Sequence, residues 1–325
     1  MRKAFLMLLF VLLMVFTKAQ QTAEKNIIET KYLLSLPAGY ADDTTKKWPL
    51  MIFLHGSGES GDDLAKVKVH GPPKLIEAGK KFPIIVVSPQ APLYKGWQEQ
   101  VLKALLDTLK NKFRVDRDRI YLTGLSMGGF GTWNLSEKFP EEFAAIAPIC
   151  GGGDDKKAWQ LRHMPIWCFH GAKDKNVPLA SSQRMVDAVE KYNDDVRFTI
   201  YPDLEHNSWE VTYNNDSLYT WLLAQKKFRY TAVKVSTDIL KDYAGAYVNA
   251  TNDTIQLELH TDTLVARPRQ GTFPLKASSP TSFYWDDNSI AELRFTKNKK
   301  DKTDGFTLFS GEIEEFKKVK STGSK

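Results

Sequence analysis

Cysteine and histidine are scarce in this chain, with 2 and 6 among 325 residues. Two cysteines cannot staple a loop-rich fold, and no Cys/His group has the spacing of a zinc site. The expectation is no metal and no cofactor. Cys150 and Cys168 each sit in an apolar strand-like run. Neighbouring parallel strands rarely present the Cβ geometry a disulfide needs, so both read as buried thiols.

Long apolar runs are also missing. The longest, Ala4 to Phe16, has thirteen residues, short of the roughly 20 that cross a bilayer as a helix. Arg2-Lys3 precede it and Thr17-Lys18-Ala19 follow, the pattern of a secretory signal cleaved after Ala19. No cysteine follows to carry a lipid. The chain is expected to be secreted or periplasmic, as in bacteria, with no stable membrane insertion after signal removal. Net charge is small. Loss of residues 1–19 removes Arg2, Lys3 and Lys18 and no acids, lowering the formal +6 by three. So weak and scattered a charge excludes a nucleic-acid partner.

What the chain does have is alternation. Short apolar runs near 32–36, 50–54, 84–88, 119–123, 144–149, 165–169 and 196–200 alternate with amphipathic stretches. Those stretches include 97–113, 126–139, 181–193 and 214–228. This spacing predicts parallel βαβ units with helices on both sheet faces, over residues 25–229. From about Asp238 the runs become short and alternating, separated by Asp, Asn, Gly and Pro. They predict a small antiparallel β-domain over 236–320. The lysines at 297–302 read as a solvated hairpin tip.

Gly124-Leu125-Ser126-Met127-Gly128 lies between the strand-like 119–123 and a helix-like run from Gly129. That is the G-x-S-x-G elbow in its strand–turn–helix setting, where the turn leaves room only for glycine beside the serine. A serine hydroxyl needs a base to become a nucleophile, and in α/β-hydrolases an acid and then a histidine follow it. His206 sits just past the run 196–200, at the carboxyl edge of the sheet, and is the expected base. Asp174, in the loop after the run 165–169, is the expected acid, with Asp203 as its rival. His170 reads as loop packing, His163 as a solvated helix residue, and His260 lies in the β-domain.

The glycine-rich His55-Gly56-Ser57-Gly58-Glu59-Ser60-Gly61 follows the run 50–54. Glycines at that density let amides face an oxyanion. Ser57 N–H, with Gly58 as fallback, and Met127 N–H are the expected donors. Trp97 and Trp209 lie in loops at the same sheet edge and are expected to wall the substrate cleft, although either could instead anchor its loop.

The segments LHGSGESGDD (54–63), FPIIVVSPQ (82–90), RIYLTGLSMGGFGTWNLSEKFP (119–140), FAAIAPICGGGD (143–154), FHGAKDKNVP (169–178) and TIYPDLEHNSW (199–209) carry a resemblance. About 200 residues resemble the secreted bacterial α/β-hydrolases of the carboxylesterase, phospholipase/carboxylesterase-like and predicted-peptidase group within the prolyl-oligopeptidase superfamily. The resemblance implies an α/β-hydrolase fold, a Ser126–Asp174–His206 triad and a serine carboxylesterase. The expected substrate is a small-molecule or polysaccharide-linked ester, with short acyl or hydroxycinnamoyl groups on carbohydrate. A serine peptidase, or a carbohydrate-binding scaffold with a vestigial core, are the alternatives.

Overall fold

The computed structural model describes residues 29–287 and 289–319, so the expected signal segment lies outside the described residues. No helix among the described residues is long and apolar enough to cross a membrane.

The first half is a seven-stranded sheet. Its strands are β1 (Tyr32–Ser35), β2 (Trp48–Leu54), β3 (Ile85–Pro89), β4 (Val115–Leu125), β5 (Ala145–Ile149), β6 (Ile166–Gly171) and β7 (Val196–Tyr201). They run in the order β1-β3-β2-β4-β5-β6-β7. Every pairing is parallel except that of β1 with β3 at the edge. Both faces are covered, so β2 and β3 are buried at every residue and read as continuous apolar runs. Alternate residues of β2 feed opposite layers. Leu50, Ile52 and Leu54 join one core cluster, and Met51 and Phe53 the other.

Helices α1 (Gly71–Glu77), α2 (Glu99–Lys112), α3 (Met127–Lys138), α4 (Leu179–Val189), α5 (Trp209–Asn214) and α6 (Asp216–Ala224) connect these strands and close the half. α2 buries Leu102, Leu105, Leu106 and Leu109, the i, i+3, i+4, i+7 stripe of an amphipathic helix.

A short α7 (Thr237–Tyr243) leads into eight antiparallel strands: β8 (Gly245–Val248), β9 (Thr254–His260), β10 (Thr263–Arg267), β11 (Phe273–Ala277), β12 (Ser282–Tyr284), β13 (Glu292–Lys297), β14 (Thr303–Ser310) and β15 (Glu312–Lys318). They close into a barrel, with β15 pairing back onto β8. Its core is aromatic. Tyr243 stacks on Phe295 at 3.6 Å between ring centroids, and Phe306 stacks on Phe316 at 4.9 Å. The lysine-rich 297–302 segment is the exposed tip of the β13–β14 hairpin, as expected.

The barrel is fastened to the first half through buried polar contacts. Arg162 Nε donates to Glu292 Oε1 at 3.1 Å, and its Nη2 donates to the Ile290 carbonyl. Tyr230 Oη donates to the same carbonyl at 2.8 Å. His163 is here too, stacked on Phe228 at 3.8 Å with its Nε2 3.8 Å from Glu292 Oε2. The expectation of a solvated helix residue is therefore wrong for His163. Its covering rings come from residues too distant in sequence to be read from its neighbours.

Candidate active site

Ser126 occupies the turn between β4 and α3 with φ 52° and ψ −117°, strained for any residue with a side chain. Two bonds hold it there: its amide donates to the Ile149 carbonyl at 3.0 Å, and its carbonyl accepts from Phe130 N–H at 3.0 Å. The flanking glycines are obligatory. A Cβ at Gly124 would lie 2.3 Å from the Gly128 carbonyl oxygen, and one at Gly128 would lie 2.0 Å from that of Leu54.

His206 follows β7 and Asp174 follows β6. The two loops are clamped together, because Lys173 N–H donates to the Leu204 carbonyl at 2.9 Å. The result is a continuous relay. His206 Nε2 is 2.9 Å from Ser126 Oγ, and His206 Nδ1 is 2.7 Å from Asp174 Oδ2. Asp174 Oδ1 accepts from the amides of Asn176 and Val177, each at 2.9 Å. Burial raises the Asp174 carboxyl, but the bonds from His206, Val177 and Asn176 outweigh it and hold the pKa below the usual value. Asp203 points away and pairs with Lys173 Nζ at 2.7 Å on the surface. Of the two, it is Asp174 that lies against His206. His170 is buried against Ser182 Oγ at 2.8 Å and the Val177 carbonyl at 2.9 Å, bracing the acid loop.

The glycine-rich loop after β2 comes against the nucleophile: a Cβ at Gly56 would lie 3.7 Å from Ser126 Cβ. Ser57 and Gly58 are exposed. Met127 is the first residue of α3, so its amide has no partner within the helix.

The two tryptophans do not form the expected walls. Trp97 Nε1 donates to the His55 carbonyl at 3.1 Å, and its ring lies 4.7 Å from that of His55. It borders a cleft of about 340 Å³ whose walls contain none of Ser126, Asp174 and His206. Trp209 is buried beside the base, its ring meeting that of His206 edge-on at 5.0 Å. Both are anchors. Trp97 lies in an edge loop and Trp209 is the first residue of α5, and chain position does not say which way either ring turns.

Other residues around the site escaped the sequence. His55 is fully buried and accepts from Ala91 N–H at 3.0 Å, pinning the glycine-rich loop, and burial lowers its pKa to about 4. Its place directly before Gly56 was the only signal. Cys150, at the end of β5, lies beside the relay. Its sulfur, an Asp174 oxygen and a His206 nitrogen fall within 4.8 Å of one another. Cys150 and Cys168 are both free and buried, and burial pushes each thiol up to about 12.

Residues 92–221, which contain Ser126, Asp174 and His206, match the dienelactone hydrolase family. A bifunctional acetylxylan esterase/xylanase of Neocallimastix patriciarum is 28% identical over 122 residues, 38% of this chain and 18% of that protein. An Aspergillus terreus protein named "Probable feruloyl esterase C" is 25% identical over 172 residues, 50% of this chain and 62% of that one. The chain thus spans less than two thirds of either relative. A thermostable esterase of known structure is 33% identical with a TM-score of 0.52, covering 61% of this chain and 60% of the other. The sheet of residues 32–201 with its helices is accordingly an α/β-hydrolase fold, and within it residues 92–221 are similar to the dienelactone hydrolase family.

Proposed function

We propose that the protein is a serine carboxylic-ester hydrolase. The observation that carries this reading is the relay from Ser126 Oγ through His206 to Asp174, with bonds of 2.9 and 2.7 Å. His206 takes the Ser126 proton as the oxygen attacks the ester carbonyl. The amides of Ser57 and Met127 hold the tetrahedral oxyanion. His206 then protonates the leaving alcohol, and a water repeats the two steps to free the acid.

The substrate class is short acyl or hydroxycinnamoyl esters of carbohydrate. The tryptophan argument for it falls with the packing of Trp97 and Trp209. Its support is now the likeness to an acetylxylan esterase and to a feruloyl esterase. Export follows from the basic start and apolar run of residues 2–16. The test is turnover by the purified chain of acetylated xylan, methyl ferulate and a p-nitrophenyl ester series, beside an aminoacyl anilide. Cleavage of the anilide in preference to every ester would overturn the reading in favour of a peptidase.

A further inference from the structure

Glu59 is a buried carboxylate that the proposed reaction does not use. It is only 8% exposed, and among the described residues its Oε2 has no hydrogen-bond partner while its Oε1, on the other side, comes no closer than 3.9 Å to His70 Nε2. A buried carboxyl group with so few partners is costly and calls for an explanation. Glu59 stands beside the nucleophile, because a Cβ built at Gly56 would lie 3.2 Å from Glu59 Oε2 and 3.7 Å from Ser126 Cβ. It is tied to the base by a second route. Glu59 Oε1 is 3.9 Å from His70 Nε2, the His70 ring meets Trp209 at 5.4 Å, and Trp209 meets His206 at 5.0 Å.

The gap between Glu59 Oε1 and His70 Nε2 is too wide for a direct bond, and one hydroxyl oxygen placed between them touches both at about 2.8 Å. The gap is open on the His70 side, whose side chain is 27% exposed. His70 is held from behind by Glu210, with Nδ1 2.9 Å from Glu210 Oε1, and Glu210 is in turn held by Lys74 at 2.7 Å. Glu210 therefore has its cation, whereas among the described residues Glu59 has none this close. The other imidazole near Glu59, that of His55 with Nδ1 3.9 Å from Oε2, is also beyond bonding distance.

We propose that Glu59 and His70 form a polar subsite beside Ser126 that binds a free hydroxyl of the substrate, next to the ester to be cleaved. A carboxylate only accepts, so the ligand must donate. A sugar hydroxyl supplies that proton and rests against the His70 ring. This rests on the esterase reading and narrows it to esters of polyhydroxy alcohols.

The experiment compares three acetate esters: a monoacetylated xyloside, its analogue lacking the neighbouring hydroxyl, and p-nitrophenyl acetate. The parent protein is expected to favour the xyloside over the deoxy analogue by about 10- to 100-fold in kcat/KM, the range of one charge-assisted hydrogen bond. In Glu59→Gln that preference is expected to shrink to about threefold or less, chiefly through KM. His70→Gln, at a half-exposed position, should shrink it too and serves if Glu59→Gln folds poorly. An unchanged preference in both variants overturns the subsite while leaving the esterase reading standing. A parent protein that turns over none of the three overturns that reading and the subsite with it. Selective binding of an aminoacyl ester at Glu59 instead would replace the hydroxyl by an ammonium and overturn the assignment.

Discussion

Arg162 of the hydrolase half and Glu292 of the barrel form an ion pair at 3.1 Å whose side chains are 0% and 2% exposed. His163 and Arg294 crowd the same carboxylate, the latter at 2.6 Å. Burial raises the Glu292 carboxyl, yet His163, Arg162 and Arg294 together pull it down to about 2.

Glu292→Gln should leave the Arg162 charge buried without its anion and lower stability by about 3–5 kcal/mol. Because the folded pKa lies below the ordinary 4.5, this carboxylate's contribution is full above pH 4.5 and fades as pH falls towards 2. Urea unfolding followed by tryptophan fluorescence at pH 7 and pH 3 checks both points. A variant as stable as the parent at pH 7 would show that the pair does not fasten the barrel.

Glu137 behaves in the opposite sense. Burial raises its carboxyl from 4.5 to about 8, outweighing the Asp154 amide, which donates to it at 3.2 Å, and the charge of Lys157. Between pH 4.5 and 8 the unfolded chain has released a proton that the fold still holds, so stability falls as pH rises through this window. Glu137→Gln should remove that slope and gain about 1–3 kcal/mol at pH 8. Parallel stability curves for the two proteins from pH 5 to 8 would refute the assignment.

Ser126→Ala should abolish ester turnover and labelling by a fluorophosphonate probe, with thermal stability kept or raised because the strained position loses only an oxygen. Retention of more than a few per cent of activity would place the nucleophile elsewhere.

Asp174→Asn should keep the loop but remove the anion that orients His206, lowering kcat by about 10²- to 10⁴-fold. Asp203→Asn, at a surface pair with Lys173, should change it little. The ranking of the two rates is the measurement, and the reverse order would move the acid.

How much could be read in advance depended on whether the determining contacts were local. The buried strands β2 and β3 are apolar at nearly every position, and the elbow needs its glycines within two residues of Ser126, so both were legible. β11 was not, because Pro274 interrupts it and only Leu275 and Ala277 are buried. Barrel closure was hidden as well, since the seam of β8 with β15 is short, pairing Lys317↔Val248 and Lys318↔Tyr247 with one further bond from Val319 N–H to the Ala246 carbonyl. Glu59 and His70 carry no motif. Their meeting depends on how two turns after β2 fold over each other, which no periodicity records.

The same seam sets an order in time. β15 is the last strand described, so the ring cannot close until it has been synthesised, long after all seven strands of the hydrolase sheet. Arg162 and its anion Glu292 are 130 residues apart. At ribosomal speeds of roughly 5–20 residues per second, Arg162 waits on the order of ten seconds for that partner. During that interval Arg162, lying over the Trp159 ring, lacks the anion that the barrel later brings to it.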